Sequence, residues 1–157
     1  MSDMELMIKP ASGSCNMRCR YCFYADEMQN RNIPCRGVMD AGILEALVQK
    51  AFAAGSDRLT FVFQGGEPTL AGLAYFHALH EHIQRCNTRG IPVNYALQTN
   101  GYAIDEQWAA LFATHRYLVG LLLDGPKNIH DKNRRDIGQN GTFDRVMHSA
   151  ALLAKHG

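Results

Sequence analysis

Apolar residues along the chain follow two alternating periodicities. Short runs rich in β-branched and aromatic residues, typical of strands, precede longer stretches in which apolar residues recur every three or four positions, as on one face of a helix. The strands are predicted at residues 5–10, 58–64, 93–99 and 117–124. The helices are predicted at residues 41–54, 72–86, 105–114 and 142–156. The pattern therefore predicts four successive βα units.

Cap and turn residues mark the ends of several of these elements. Asp40 is a suitable N-cap for the first predicted helix, and Gly55 a suitable stop. The fourth predicted strand, YLVGLLLD, is almost entirely apolar, as expected when both faces of a parallel sheet are covered. Strands that alternate with helices in this way predict an α/β fold with parallel strands and right-handed crossovers.

The predicted sheet is too small to close on itself, because four parallel strands do not complete a barrel. The last predicted helix ends in Lys-His-Gly, where a fifth strand would be expected to follow. We therefore expect one domain over residues 1–157 that is the N-terminal part of a longer protein.

Composition and charge narrow the class of protein further. Of the residues, 46% are apolar and 20% charged, as in ordinary globular proteins. The formal net charge of +1 does not favour nucleic acid or an anionic membrane as a partner. No apolar run has the length of a membrane span, and the first residues, MSDMELMIKP, do not resemble a signal peptide. The expected location is the cytoplasm.

The main candidate for chemistry is a cluster of thiols. Three of the five cysteines, Cys15, Cys19 and Cys22, follow the first predicted strand with the spacing C-x3-C-x2-C. Three thiolates on one short loop match three corners of a cubane iron–sulfur cluster and leave one iron open. Two alternatives remain: core thiols, or a zinc site completed by a distant residue such as Cys35 or a histidine.

Polar residues also follow the other predicted strands. Gly65 and Gly66 allow close approach of the backbone to a ligand, and Glu67 is a candidate acceptor for an ammonium group. Arg134, beyond the fourth strand, is a candidate partner for a carboxylate. The alternatives are a simple turn for the glycines and a solvated surface charge for Arg134.

Together these segments resemble one known family. The runs are MIKPASGSCNMRCRYCFY, FQGGEPTLAG, LQTNG and LDGPKNIHDKNRRD. They are similar to the radical S-adenosylmethionine (SAM) superfamily, and within it to the anaerobic sulfatase-maturating enzymes, which carry a C-terminal SPASM domain. The resemblance implies a partial parallel (β/α)6 barrel of the radical SAM type, with about four of its six βα units in this chain. The remaining units and the SPASM domain would lie outside it.

The resemblance also implies cofactors and site residues. Cys15, Cys19 and Cys22 would bind a [4Fe-4S] cluster whose open iron is chelated by SAM. The implied SAM contacts are Tyr21, Gly65, Gly66, Glu67, Leu122 and Arg134, and the implied substrate contacts are Tyr24 and Gln64. Such an enzyme cleaves SAM reductively to a 5′-deoxyadenosyl radical and oxidises a Cys or Ser of a client sulfatase to formylglycine.

Two features depart from the family pattern. Leu122 stands where relatives usually carry a serine that contacts SAM. The family's general base and its auxiliary clusters lie beyond this chain, so no catalytic residue is assigned and weak or no turnover is expected from these residues alone.

Other functions share part of this pattern. The closest alternative is a SPASM-type maturase that crosslinks a ribosomal peptide, and a more distant one is an iron–sulfur electron carrier, which would need a fourth cysteine ligand. For the maturating enzyme, the expected partners are a client sulfatase or peptide and an electron donor such as flavodoxin or ferredoxin.

Overall fold

A four-stranded parallel sheet organises the molecule, with neighbouring strands in the order in which they follow one another along the chain. The structure is a computed structural model that describes residues 2–157. The strands are β1 (Asp3–Ile8), β2 (Arg58–Phe63), β3 (Val93–Thr99) and β4 (Leu118–Leu121). The helices are α1 (Phe23–Gln29), α2 (Ala41–Ala53), α3 (Leu73–Cys86), α4 (Glu106–Thr114), α5 (Lys127–Asn133) and α6 (Phe143–His156), with a short 3-10 helix at Pro68–Ala71.

The core lies between one face of the sheet and the helices. Leu59, Phe61 and Phe63 alternate along β2 and are fully buried. They pack in one cluster with residues of α2 and α3, including the fully buried Phe76 and Leu79. Because side chains alternate along a strand, the opposite face carries the intervening residues and is less buried. The predicted α/β fold with parallel strands is confirmed.

The register brings the carboxyl ends of the strands to one edge of the sheet. Ile8 at the end of β1 pairs with Phe63 at the end of β2, which in turn pairs with Leu97 near the end of β3. Thr99 at the end of β3 pairs with Leu121 at the end of β4. Loops that leave these strands therefore meet, as in other parallel α/β proteins.

Several predicted boundaries were wrong. β1 ends at Ile8 rather than residue 10, because the chain turns where Ser12 N–H donates to the Lys9 carbonyl (3.1 Å). β4 covers four residues instead of eight. The sequence patterns also missed α1 and α5: α1 has no buried residue, so it carries no apolar stripe for periodicity to detect. No helix among residues 2–157 is long and apolar enough to cross a membrane.

Candidate functional site at the carboxyl edge of the sheet

The three clustered cysteines lie in the loop between β1 and α1, at the edge where the strand ends meet. Cys15, Cys19 and Cys22 are partly buried and line one cavity of about 290 Å³. The other residues that line this cavity are Tyr21, Phe23, Tyr24, Gln64, Gly65, Gly66, Gln98, Asn100, Leu122 and Arg134. The cavity thus unites the predicted cysteines with residues from the ends of β2, β3 and β4.

Gly66 places the end of β2 directly against the cysteine loop. Its φ is +59°, and a Cβ there would overlap the Ser14 carbonyl oxygen and lie 2.9 Å from the Gly13 carbonyl carbon. The next residue, Glu67, donates its backbone N–H to that same Ser14 oxygen at 2.8 Å. Glycine is therefore required here both by backbone conformation and by space.

A second segment braces the loop on both sides of Cys19. Arg18 N–H donates to the Arg135 carbonyl at 2.7 Å, and Arg20 N–H donates to the Asn133 carbonyl at 2.9 Å. Sequence reasoning missed this pairing, since it joins residues more than a hundred positions apart without a motif of its own.

Asn100, at the end of β3, completes the support from the sheet. Its Nδ2 donates to Asn16 Oδ1 at 2.8 Å and lies 3.6 Å from Cys15 Sγ. An amide N–H near a cysteine sulfur favours the thiolate, the form that binds iron.

The Glu67 side chain is buried where the ends of β2 and β3 meet. It is 1% exposed, and its Oε1 accepts from Thr69 N (3.1 Å), Thr69 Oγ1 (2.8 Å) and Thr99 Oγ1 (2.7 Å). Its Oε2 accepts from Asn100 N at 2.8 Å. Both carboxylate oxygens thus hold the ends of β2 and β3 together, and a contact between Glu67 and an ammonium group stays a prediction.

Arg134, Asp124 and Tyr21 form a connected group at the cavity wall. Arg134 Nε donates to Asp124 Oδ1 at 2.7 Å, and Tyr21 O–H donates to Asp124 Oδ2 at 2.6 Å. The guanidinium carbon lies 5.4 Å from the centre of the Tyr21 ring, and Nη1 lies 3.8 Å from Cys19 Sγ. Arg134 is therefore not a solvated surface charge: it is 5% exposed.

The electrostatics of this group are mutually consistent. Burial alone would raise the pKa of Asp124, but the hydrogen bonds from Tyr21 and Arg134 outweigh it and lower that pKa. Burial and the bond to Asp124 raise the pKa of Tyr21. Asp124 stays anionic and holds one N–H of Arg134, while the guanidinium carries more N–H groups than Asp124 and Cys19 use. Sequence reasoning found Arg134 but not the carboxylate that holds it.

The remaining predicted residues surround the same cavity. Tyr24 lies on α1, with Lys9 Nζ 4.6 Å from its ring centre. Gln64 follows β2 and contacts the sulfur of Met7. Leu122 follows β4, anchored by its N–H to the Thr99 carbonyl at 3.1 Å, and lines the cavity with an apolar side chain.

The donor set fits a cubane cluster. Burial raises the pKa of the Cys15 and Cys19 thiols, and Arg134 opposes this at Cys19. Among residues 2–157, no group of three or more His, Cys, Asp or Glu side chains is close enough together to bind a single metal ion. The cysteines of a cubane bind different irons, so their sulfurs lie farther apart than the ligands of one ion. Three such thiols around one cavity would supply three corners of a cubane and leave the fourth iron open.

Family comparison agrees with this site. The radical SAM superfamily matches residues 10–157. Because this region is almost the whole chain, the protein belongs to the radical SAM superfamily. Membership implies a [4Fe-4S] cluster and SAM as cofactors, as the cysteine spacing and the GGEP run predicted.

Similarity to curated proteins indicates which branch of the superfamily the chain resembles. The chain is 44% identical over 156 residues to a cysteine-type anaerobic sulfatase-maturating enzyme of Clostridium novyi, covering 99% of this chain and 42% of that protein. It is 33% identical over 155 residues to a serine-type anaerobic sulfatase-maturating enzyme of Klebsiella aerogenes, covering 97% of this chain and 37% of that protein. The chain thus spans about two fifths of the length of these relatives.

Solved structures give the same result in three dimensions. Native anSMEcpe with bound AdoMet and the Kp18Cys peptide superposes with a TM-score of 0.92 at 41% identity, covering 99% of this chain and 41% of that one. The structure of native anSMEcpe with bound AdoMet alone also gives a TM-score of 0.92, at 43% identity. The expected radical SAM type of barrel, in part, is confirmed.

Proposed function

We propose that this chain is the SAM-cleaving part of an anaerobic sulfatase-maturating enzyme. The observation that carries the proposal is the convergence of Cys15, Cys19 and Cys22 on one cavity that also holds Gly66 and Arg134. An iron–sulfur electron carrier needs neither a glycine-lined cavity nor a buried arginine at its wall.

Different residues of the chain would bind the cluster, bind SAM and support the cavity wall. When bound, the cluster and SAM supply one-electron reductive cleavage to methionine and a 5′-deoxyadenosyl radical. The three cysteines hold the cluster and leave one iron for the amino and carboxylate groups of SAM. Tyr21, Gly65, Gly66, Leu122 and Arg134 form the surrounding wall, in which Arg134 offers its unused N–H groups to the carboxylate. For Glu67 we propose support of this wall rather than contact through its carboxylate.

The client is proposed to be a sulfatase with a cysteine at the oxidised position, converted to formylglycine. Identity to cysteine-type relatives reaches 44%, against 33% for serine-type relatives. A related structure has both AdoMet and a peptide bound, and for this chain we propose that Tyr24 and Gln64, on the cavity wall, contact the peptide. A small electron carrier, such as flavodoxin or ferredoxin, would reduce the cluster.

The cysteine assignment is tested by comparing two cysteine variants after anaerobic reconstitution with iron and sulfide. Cys19→Ala removes a proposed cluster ligand, whereas Cys86→Ala changes a partly buried cysteine at the end of α3. We expect Cys19→Ala to lose most of its iron and its formation of 5′-deoxyadenosine, and Cys86→Ala to keep its iron. Full iron content in Cys19→Ala would contradict the assignment.

A further inference from the structure

His130 is a fully buried histidine behind the cavity wall, and the proposed chemistry gives it no role. It lies on α5, and the Phe143 ring packs edge-on against its imidazole, with ring centres 5.6 Å apart. Both of its ring nitrogens have hydrogen-bond partners. These two directed contacts tie the imidazole to its neighbours on both sides.

The partners fix which nitrogen carries the proton. Asp124 N–H approaches His130 Nδ1 at 3.3 Å, so Nδ1 is the acceptor. Thr142 Oγ1 lies 3.0 Å from His130 Nε2 and donates its own proton to the Arg134 carbonyl at 3.1 Å. Nε2 must therefore carry the hydrogen and donate to Thr142. Burial, aided by Arg134, lowers the pKa of His130, which agrees with a neutral ring.

The two ends of this chain of hydrogen bonds are the two residues of one ion pair. At one end, His130 holds the backbone of Asp124, whose carboxylate binds Arg134 Nε at 2.7 Å. At the other end, Thr142 holds the backbone of Arg134 itself. The His130 imidazole thus holds the backbone of Asp124 directly and that of Arg134 through Thr142. Asp124 in turn holds the guanidinium of Arg134.

We propose that His130 is a positioning residue for SAM: with Thr142, it fixes the Asp124–Arg134 pair so that the free N–H groups of Arg134 meet the SAM carboxylate. This inference rests on the proposed function, since it assumes SAM in the cavity. A positioned guanidinium binds a carboxylate without first losing rotational freedom, whereas a displaced one loses both direction and affinity.

The test uses three variants of the anaerobically reconstituted protein. Thr142→Val removes the relay to Arg134 with little change in volume. His130→Leu removes both ring contacts, and His130→Asn keeps an acceptor near the position of Nδ1 for Asp124 N–H. His148→Asn, on an exposed position of α6, is the matched control.

Each variant is titrated with SAM and, separately, with decarboxylated SAM, while iron content is measured in parallel. We expect the Kd for SAM to rise about tenfold in His130→Leu and about threefold in Thr142→Val and His130→Asn, with iron content unchanged. The Kd for decarboxylated SAM should stay the same in every variant, because it has no carboxylate for Arg134.

Two results would overturn the inference. Equal weakening of SAM and its decarboxylated analogue would show that His130 only maintains the cavity. Loss of iron from Thr142→Val would show that the relay supports the cysteine loop instead. Failure of the proposed SAM cleavage would look different, since the unchanged protein would then bind neither a cluster nor SAM, whereas a client other than a sulfatase would change neither of these measurements.

Discussion

At the scale of the residue, one buried carboxylate holds the site together. Glu67 accepts hydrogen bonds from the 3-10 helix and from the end of β3, while its backbone N–H donates to the cysteine loop. Several donors around a buried carboxylate replace the hydration that it loses on burial. The sequence predicted Glu67 as a ligand contact, but the motif does not reveal that its hydrogen-bond partners lie in the 3-10 helix and at the end of β3.

Glu67→Gln should destabilise the fold, although glutamine has the same shape as glutamate. Each carboxylate oxygen accepts from one backbone N–H, of Thr69 or Asn100. Whichever way the new amide turns, its NH₂ faces a donor. We expect the free energy of unfolding in urea to fall by about 1–3 kcal/mol. Glu81→Gln, at an exposed position of α3, is the control and should leave stability nearly unchanged.

Gly66 allows a second comparison between two glycines of similar backbone conformation. Gly66 and Gly90 have φ of +59° and +64°, but a Cβ meets the cysteine loop only at Gly66, while nothing lies within 4 Å at Gly90. Alanine should cost roughly 1 kcal/mol of stability at Gly90 from the backbone alone. At Gly66 the overlap should add about 1–3 kcal/mol and reduce iron incorporation. Equal effects at both positions would contradict the close approach.

At the scale of the element, the strands were predictable and the short helices were not. Strands β2 and β3 are rich in residues that favour strands and are followed by turn residues. Their predicted bounds therefore differ from the observed ones by at most one residue. α1 and α5 have seven residues each and are held by their surroundings rather than by an apolar face. Their placement depends on long-range contacts, such as those of Asn133 with the cysteine loop, that local patterns do not contain.

α3 and the end of α4 meet through two stacked imidazoles. The His80 and His115 rings lie parallel, with centres 3.4 Å apart, and His80 Nε2 lies 3.0 Å from the Tyr117 hydroxyl. Burial, then the neighbouring His115, lowers the pKa of His80 to about 3. Burial also lowers the pKa of His115. The stack is therefore neutral, since two charged rings in contact would repel.

This contact makes stability depend on pH in a definite direction. The unfolded chain takes up a proton at His80 near pH 6.5, while the folded chain does so only near pH 3. Stability is therefore full above pH 6.5 and falls as the pH drops below it. We expect a loss of about 1 kcal/mol between pH 6.5 and 5, allowing for solvent screening at this partly exposed site.

His80→Gln should make that pH dependence shallower, as followed by urea unfolding at several pH values. Glutamine keeps a polar group for the Tyr117 hydroxyl but does not titrate. His148→Gln, at an exposed position, should leave the slope as it is. An unchanged slope in His80→Gln would show that His80 is not the group responsible.

At the scale of the whole molecule, the parallel sheet brings the residues of the site together. Its parallel register brings four strand ends to one edge, and residues from all four regions enclose the cavity beside the cysteines. The cysteine spacing together with the family resemblance predicted an iron–sulfur cluster and SAM, and parallel topology predicted that the ends of the strands meet near the cysteine loop. The partners that orient Arg134 were not predictable, because Asp124, His130 and Thr142 meet only after the last two helices have packed.

The central claim is that three cysteines hold a cluster with one iron open to SAM, and EPR of the reduced, anaerobically reconstituted protein tests it most directly. Spectra are recorded with and without SAM. We expect a [4Fe-4S]⁺ signal that changes shape when SAM is added, because SAM binds the open iron. A cluster signal that is indifferent to saturating SAM, or a protein that binds zinc and no cluster, would contradict it.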